Sequence, residues 1–508
     1  MIRRIMTAAA VAGYMSASAV SLDTSIDRVS SPLKVDMEWL GTLRPRATDE
    51  IASSNWRLGC EVLDRDFADF GEYRQFIGPL GIKMVRLQGG WAKCEKIKGV
   101  YDFLWLDRIV DYLRERGVKC AIETGYGNPI YKGGGTIDLA AGFPTGEEAL
   151  AGWDGWIRAL AAHFKGRVDT FMMWNEPDLE PADGSPRKTP AQIAAFNVRT
   201  AKIIRSVIPN ARLAGLSLAF CKAEPFEECL KAMGRDVLLF ESFVYHGYKA
   251  APESSYAEVE KLKEVLAKYH PRARMWQGEN GCPSEMASFF ALSGIPWSEY
   301  SQAKWDMRRM LGDLGHDVLS SVFTICDFNH KGREINLKGL LRADEHKKVV
   351  AVKRAYYAVQ NVVSVFDDTL ARVRGLGWDR GFGSVDRTIA AYEYRKNGGT
   401  AVFVFWTCAE PCAKDDPKVS FVPSPGHFGF RYVRPGESFE TRPAVFRYNG
   451  AAPALADPVW IDLLTGRVYA FPKKNVVAGT DSVRYLDVPV YDSPCLLCER
   501  SAVEVVSR

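Results

Sequence analysis

Two glutamates in this chain stand where apolar, strand-like runs break off. Val168-Asp-Thr-Phe-Met-Met-Trp174 ends in Asn175-Glu176-Pro177-Asp178, and Arg274-Met-Trp-Gln-Gly278 ends in Glu279-Asn280-Gly281. Pro177 steers Glu176 away from right-handed helical geometry, as a strand end turning into a loop requires. Two facing carboxyl groups, one protonated and one ionised, are what glycosidic-bond hydrolysis needs: a proton donor for the leaving oxygen, and a partner that attacks or activates water. Either glutamate alone would read as an arginine partner at a rim. Two of them at strand ends, in Trp-Asn-Glu-Pro and Trp-Gln-Gly-Glu-Asn, read as a catalytic pair.

Such a pair needs a frame, and the frame is legible. From about residue 55 to 366, short β-rich runs alternate with amphipathic stretches, the pattern of βα units around a parallel sheet. Eight candidate strands are Trp56–Leu63, Lys83–Gln88, Val118–Thr124, Val168–Trp174, Arg212–Ala219, Leu239–Tyr245, Arg274–Gly278 and Leu319–Cys326. Between them the spacing predicts helices at Phe103–Arg116, Glu147–Lys165, Ala191–Val207, Tyr256–Tyr269 and Trp297–Leu314. Val349, Val352, Tyr356, Val359, Val363 and Phe366 recur at three and four, one apolar helix face. In a closed (β/α)8 barrel, functional groups sit at the C-terminal ends of the strands, and strands 4 and 7 face each other. Separation of the two carboxyls then decides the outcome: about 5–5.5 Å for retention, roughly 6.5–9.5 Å for inversion.

The chain resembles glycoside hydrolase clan A, and within it family 39. The resemblance rests on Trp174-Asn175-Glu176-Pro177-Asp178, the Glu279 strand end, Ser242-Phe-Val-Tyr-His246 and Gly99-Val-Tyr-Asp-Phe-Leu-Trp-Leu-Asp107. It covers about residues 55–366 and returns weakly in Asp492-Ser-Pro494. It implies a TIM barrel, Glu176 as acid/base assisted by Asn175, and Glu279 as nucleophile. One departure stands out: the family has Thr before its nucleophile, and this chain has Gly278.

Other polar and aromatic residues fall at strand ends. Arg86 could hold the nucleophile ionised. Asn175 would donate to the sugar 2-hydroxyl, and Tyr245 and His246 could bond the nucleophile or a hydroxyl. Gln88, Trp91, Tyr126, Asn128, Trp276 and Asp327 are candidate subsite groups, with Trp276 inside its strand. The charge of Glu279 is expected to raise the pKa of Glu176. Loops Gly89–Val100 and Gly125–Pro144 are expected to wall a pocket, which favours exo action on a β-xyloside, β-galactoside or β-glucoside. The rivals are an endo-acting β-glucanase resembling family 5 and a sugar-binding pseudoenzyme without turnover.

Composition narrows the field. Over 508 residues the net charge is +4 and no basic block occurs, so an oligo- or polysaccharide is the expected partner and nucleic acid is not. Seven histidines, with no His-x-His after strand 1, give no expectation of a metal or cofactor. No run of 18 apolar residues suggests a membrane span. Residues 1–20 have a basic start and an Ala-x-Ala-like region at Ser16–Ala19, a signal-peptide pattern implying a secreted or periplasmic protein; uncleaved, the chain would be cytoplasmic. The expected order is residues 21–54 as a lead-in that could add a strand to a sandwich, 55–366 as the barrel, and 367–508 as a β-sandwich of alternating runs. Eleven cysteines leave at least one thiol free. Close pairs are Cys221/Cys229, Cys408/Cys412 and Cys495/Cys498, the last set on opposite strand faces and so read as buried thiols.

Overall fold

The computed structural model describes residues 20–508 apart from 32, 139–141, 182–183, 185, 331–333, 375–377, 380–388, 409–419, 424–429, 434–441, 450–454 and 481. Residues 1–19 of the signal-peptide reading and Cys412 therefore lie outside the described residues.

Eight strands close a parallel barrel: Trp56–Gly59 (β1), Met84–Gln88 (β2), Lys119–Thr124 (β3), Thr170–Met173 (β4), Arg212–Leu218 (β5), Ser242–Tyr245 (β6), Arg274–Gln277 (β7) and Leu319–Val322 (β8). Closure is made by β8 on β1, with Trp56 opposite Ser320 and Leu58 opposite Val322. Each sequence-read strand contains its observed counterpart, but several extend past it. Left-handed backbone follows β1 at Val62 (φ 67°) and comes directly after β4 at Trp174 (φ 57°). Side chains alternate along a strand, so one face of each looks into the barrel. Ala121, Met172, Ala214, Val244, Trp276 and Leu319 form one buried layer there.

Helices Leu104–Arg114 (α1), Glu147–Phe164 (α2), Pro190–Val207 (α3), Ala223–Met233 (α4), Tyr256–Tyr269 (α5), Glu299–Gly315 (α6) and Arg354–Val365 (α7) surround the barrel. Their starts are written locally. Thr189 caps α3 by accepting from the Gln192 amide ahead of Pro190, and Ser298 caps α6 through Ser301. The reading of one helix face from Val349 to Phe366 needs correction. Val349–Val352 is a strand paired with Leu341–Ala343, and the helix begins only at Arg354. Helical spacing and β-branched content conflict in Val-Val-Ala-Val, and the strand propensity prevails. Among the described residues no helix is long and apolar enough to cross a membrane.

Beyond the barrel, antiparallel strands build the expected sandwich. An eight-stranded sheet runs Leu370–Arg372, Ile389–Lys396, Thr400–Thr407, Cys495–Glu499, Pro458–Asp462, Arg467–Ala470, Trp39–Leu43 and Val505–Ser507. The second sheet contains Arg442–Asn449 and Ser482–Val490. Trp39–Leu43, from ahead of the barrel, thus lies between two strands of the C-terminal part. Cys495 belongs to the sandwich core and Cys498 to the large core on the other side of the same strand. All ten described cysteines are free thiols. Barrel and sandwich are tied at α6, where the Lys304 ammonium meets Asp492 at 2.9 Å. Nearby, Arg308 and the Trp406 indole both donate to Glu253.

Candidate active site

Polar side chains converge at the C-terminal mouth of the barrel around a cavity of about 380 Å³, with lining residues from all eight strand ends and the loops after them. Arg86 stands at its floor. It shares the inward face of β2 with Met84, one layer above the apolar filling, and is fully buried. Its guanidinium donates to Glu279 Oε2 at 2.9 Å, to Asn175 Oδ1 at 2.6 Å and twice to Glu123, and it meets Glu61 at 3.2 Å. A guanidinium donates in a rigid fork and never accepts. It therefore fixes the Asn175 amide with its oxygen toward Arg86 and its nitrogen outward, where Nδ2 donates to Tyr126 Oη at 2.8 Å.

Glu176 follows β4 through two left-handed residues, Trp174 and Glu176 itself (φ 48°), and its amide is held by the Ser217 carbonyl at 2.9 Å. Left-handed backbone is costly for residues with a Cβ and clusters at functional sites. Glu279 follows β7 directly after Gly278. A Cβ on Gly278 would lie 2.3 Å from Val244 Cγ1 of β6, so a threonine at this position has no room here. The departure in sequence reflects close packing of β6 on β7.

One oxygen each from Glu176 and Glu279, with a ring nitrogen of His246, all lie within 4.8 Å of one another. The same three atoms could ligate a cation, but the fixed charge of Arg86 already occupies one side of Glu279 and opposes it. Both glutamates keep a little exposure, 11 % and 14 %, while Arg86 and Glu123 have none. His246 Nδ1 lies 2.8 Å from Glu176 Oε1, and Tyr248 donates to Glu279 Oε1 at 3.1 Å.

These surroundings push the two carboxyls apart. Burial raises Glu176 above the usual carboxylate range, His246 partly offsets that, and the charges of Glu279 and Asp178 add to it. The expectation that Glu279 is the chief cause is corrected: burial contributes more. For Glu279, burial also favours the neutral form, but the charges of His246 and Arg86 and the hydrogen bonds from Arg86 and Tyr248 outweigh it. Its pKa is lowered.

The sequence-read candidates divide into two groups. Glu176, Glu279, Asn175, Arg86, Gln88, Tyr126 and His246 gather in this network, with Gln88 donating to Glu123 and Tyr126. The others are turned elsewhere. Trp91 is stacked on Tyr131 and Trp156 with its indole on Glu95. Asn128 braces its loop by donating to the Glu95 carbonyl. Tyr245 accepts from Arg309 of α6. Trp276 fills the barrel layer below Gly278 and donates to Ser321, and Asp327 is spent on Lys353 at 2.7 Å. Among the described residues, the cavity takes none of its lining from Gly89–Val100 and only Tyr126 from Gly125–Pro144. Its lining comes instead from the segments after β1 and after β4 to β8, with Gln88 from β2.

Among the lining and network residues that escaped the sequence reading are Glu61, Glu123, Tyr248, Asn336 and Lys338. Glu61 stands two residues past β1 and Glu123 is next to last in β3, and Tyr248 lies two residues past His246. Removing the Tyr248 hydroxyl leaves Glu279 without one of its two charged-state donors. Tyr248→Phe is expected to lower kcat/KM by about ten- to hundredfold and to move the acid limb of its pH profile upward. Steady-state kinetics across pH checks both.

A family model named Glyco_hydro_42, described as beta-galactosidase, matches residues 70–131, the stretch holding Arg86, Gln88, Glu123 and Tyr126. A comparison with curated proteins finds no match. Solved structures do. A family 39 glycoside hydrolase from Bacteroides cellulosilyticus WH2 is 15 % identical with a TM-score of 0.58, over 88 % of this chain and 81 % of that one. A monomeric beta-xylosidase from Caulobacter crescentus CB15 is 15 % identical at 0.53, over 91 % and 97 %. The catalytic domain of a GH30 xylanase C from Talaromyces cellulolyticus is 12 % identical at 0.54, over 90 % and 98 %. The chain is therefore like clan A in fold, a barrel with a companion β-sandwich shared with glycoside hydrolases of families 39 and 30.

Proposed function

We propose that this protein is a retaining glycoside hydrolase acting on β-linked sugars, with Glu279 as nucleophile and Glu176 as acid/base. The observation that carries the reading is that one oxygen of Glu176 lies within 4.8 Å of one of Glu279, a closeness that suits the short separation of a retaining pair, together with their opposite pKa shifts. In the first step Glu279 attacks the anomeric carbon while Glu176 protonates the departing oxygen, giving a glycosyl ester and a free alcohol. In the second, water attacks the anomeric carbon and gives its proton to Glu176, and the ester bond breaks to regenerate the Glu279 carboxylate. Esterification of Glu279 removes one charge that keeps Glu176 protonated. The bond and charge of His246 then favour its ionised, basic form.

Asn175, its amide nitrogen aimed outward by Arg86, is placed to donate to the 2-hydroxyl. Exo action on a chain terminus belongs to the same proposal. Product mapping from a defined β-linked oligosaccharide tests this, and internal cleavage would sink it. Screening aryl β-glycosides and following the first-formed anomer by NMR tests retention; an inverted product would overturn the double displacement.

The pH profile carries its own sign. Glu279 must be ionised, and with its pKa lowered activity falls only in acid. Glu176 must be protonated, and with its pKa raised activity survives upward until it loses its proton. A bell-shaped kcat/KM profile is expected, its two limbs belonging to the pair.

A further inference from the structure

The segment after β8 brings Asn336 and Lys338 to the cavity wall, and both are nearly buried, at 5 % and 2 % exposure. Lys338 has no hydrogen-bond or ion-pair partner among the described residues. Its ammonium instead faces rings, 5.9 Å from the centroid of Tyr248 and 5.8 Å from that of Phe290. Asn336 Oδ1 is likewise buried without a partner among the described residues. Other deeply buried cations here are matched: Arg86 to Glu123 and Glu279, Lys353 to Asp327, Arg308 to Glu253, Arg309 to Asp313. Burying a charge without a counter-charge is expensive, so an unmatched one at the wall of a binding cavity is a place for a ligand to supply it.

Position and field point the same way. Tyr248, whose ring Lys338 faces, donates to Glu279, so Lys338 stands on the nucleophile's side of the cavity, where the sugar under attack must sit. Lys222 and Lys249 add positive charge to the lining. Two of the carboxyls lining the cavity are partly silenced, since burial raises Glu61 to about 8 and Glu176 above its usual range. Burial pulls Lys338 down to about 8, which Glu279 and Glu334 partly offset.

We propose that Lys338 and Asn336 form a subsite for an anionic substituent on the sugar bound against Glu279, so that the preferred glycone carries a carboxylate or a sulfate ester. The inference rests on the glycoside hydrolase reading and goes beyond it in naming the substrate's charge. Asn336 offers its amide to a neighbouring hydroxyl or to the anion itself.

The test compares matched aryl β-glycosides in the gluco and galacto series: unsubstituted, 6-carboxylate and 6-sulfate. Isothermal titration calorimetry runs alongside, with glucose, glucuronate and glucose 6-sulfate. Wild type is expected to favour one acidic series by at least about 100-fold in kcat/KM, and Lys338→Met to cut that preference at least about tenfold, with Lys338→Arg restoring part of it. Which acid wins separates carboxylate from sulfate. Equal or better turnover of the neutral sugar, or a preference that Lys338→Met leaves unmoved, overturns the subsite while the hydrolase reading stands. If no glycoside is turned over, the hydrolase reading fails, and calorimetry still decides the subsite: acid-selective binding lost in Lys338→Met upholds it, and its absence in wild type overturns it. The wild-type comparison needs no variant, so a misfolded Lys338→Met does not shelter the proposal.

Discussion

Glu279→Ala is expected to lower kcat/KM on the best aryl glycoside by roughly 10⁵-fold, because no other group can form the glycosyl ester. The fold should survive, since Arg86 keeps Glu123 and Glu61 as partners once Glu279 is gone. Removal of the side chain also leaves space beside Arg86 and Tyr248 for a small anion. Azide at high concentration is expected to restore turnover by attacking the anomeric carbon directly, with Glu176 still protonating the leaving group. One displacement replaces two, so the product should be a glycosyl azide of configuration opposite to the substrate. Product NMR reads this out. A retained azide, or a variant that keeps more than about a hundredth of the activity, would remove Glu279 from the nucleophile's position.

The frame and the pair were legible because both rest on local rules. Strand and helix periods marked eight βα units, and polar residues closing apolar runs marked the barrel mouth, so Glu176, Glu279, Asn175 and Arg86, which the structure brings together, could be singled out from sequence. The rule says only where a strand ends, however, and not which way its last side chain turns. Trp276 and Gly278 share the inward face of β7, yet Trp276 lies one layer deeper and packs with Met172 and Val244. Tyr245 and His246 are adjacent in sequence and must point to opposite sides: the first reaches Arg309 outside the barrel, the second Glu176 within it. Alternation could have separated these two had the register been known.

What sequence could not reach is set by packing between distant segments. Lys338 lies 59 positions beyond Glu279 in the chain, after the short paired strands Phe328–His330 and Glu334–Asn336 that no periodicity announced, and only the fold brings it beside Tyr248. The same holds for the source of electrostatics. From sequence, the like charge of Glu279 was the evident reason for a raised Glu176. In the structure the walls that bury Glu176 do more, and that effect has no signature in the neighbouring residues. Gly278 is the opposite case, a visible departure from the pattern of family 39 whose cause, the approach of Val244, only the coordinates supply.

Glu176→Ala should separate the two roles cleanly. Loss of a general acid costs about 10²–10⁴-fold, and the cost depends on how much the leaving oxygen needs a proton. For an alkyl or sugar leaving group the upper end is expected. For a nitrophenyl group, which departs unaided, glycosylation of Glu279 should remain fast and the esterified enzyme should accumulate, visible as a burst of nitrophenol and by mass spectrometry. Without Glu176 the alkaline limb of the pH profile should vanish, since that limb is the loss of its proton. His246 is left without its 2.8 Å partner but still has Glu279, at 3.8 Å, so the nucleophile stays ionised. Azide should again accelerate turnover, here by replacing water in the second displacement, and the glycosyl azide should keep the configuration of the substrate. Opposite anomers from the two variants under one reagent would fix which glutamate attacks and which moves the proton. The same anomer from both would leave the double displacement without support.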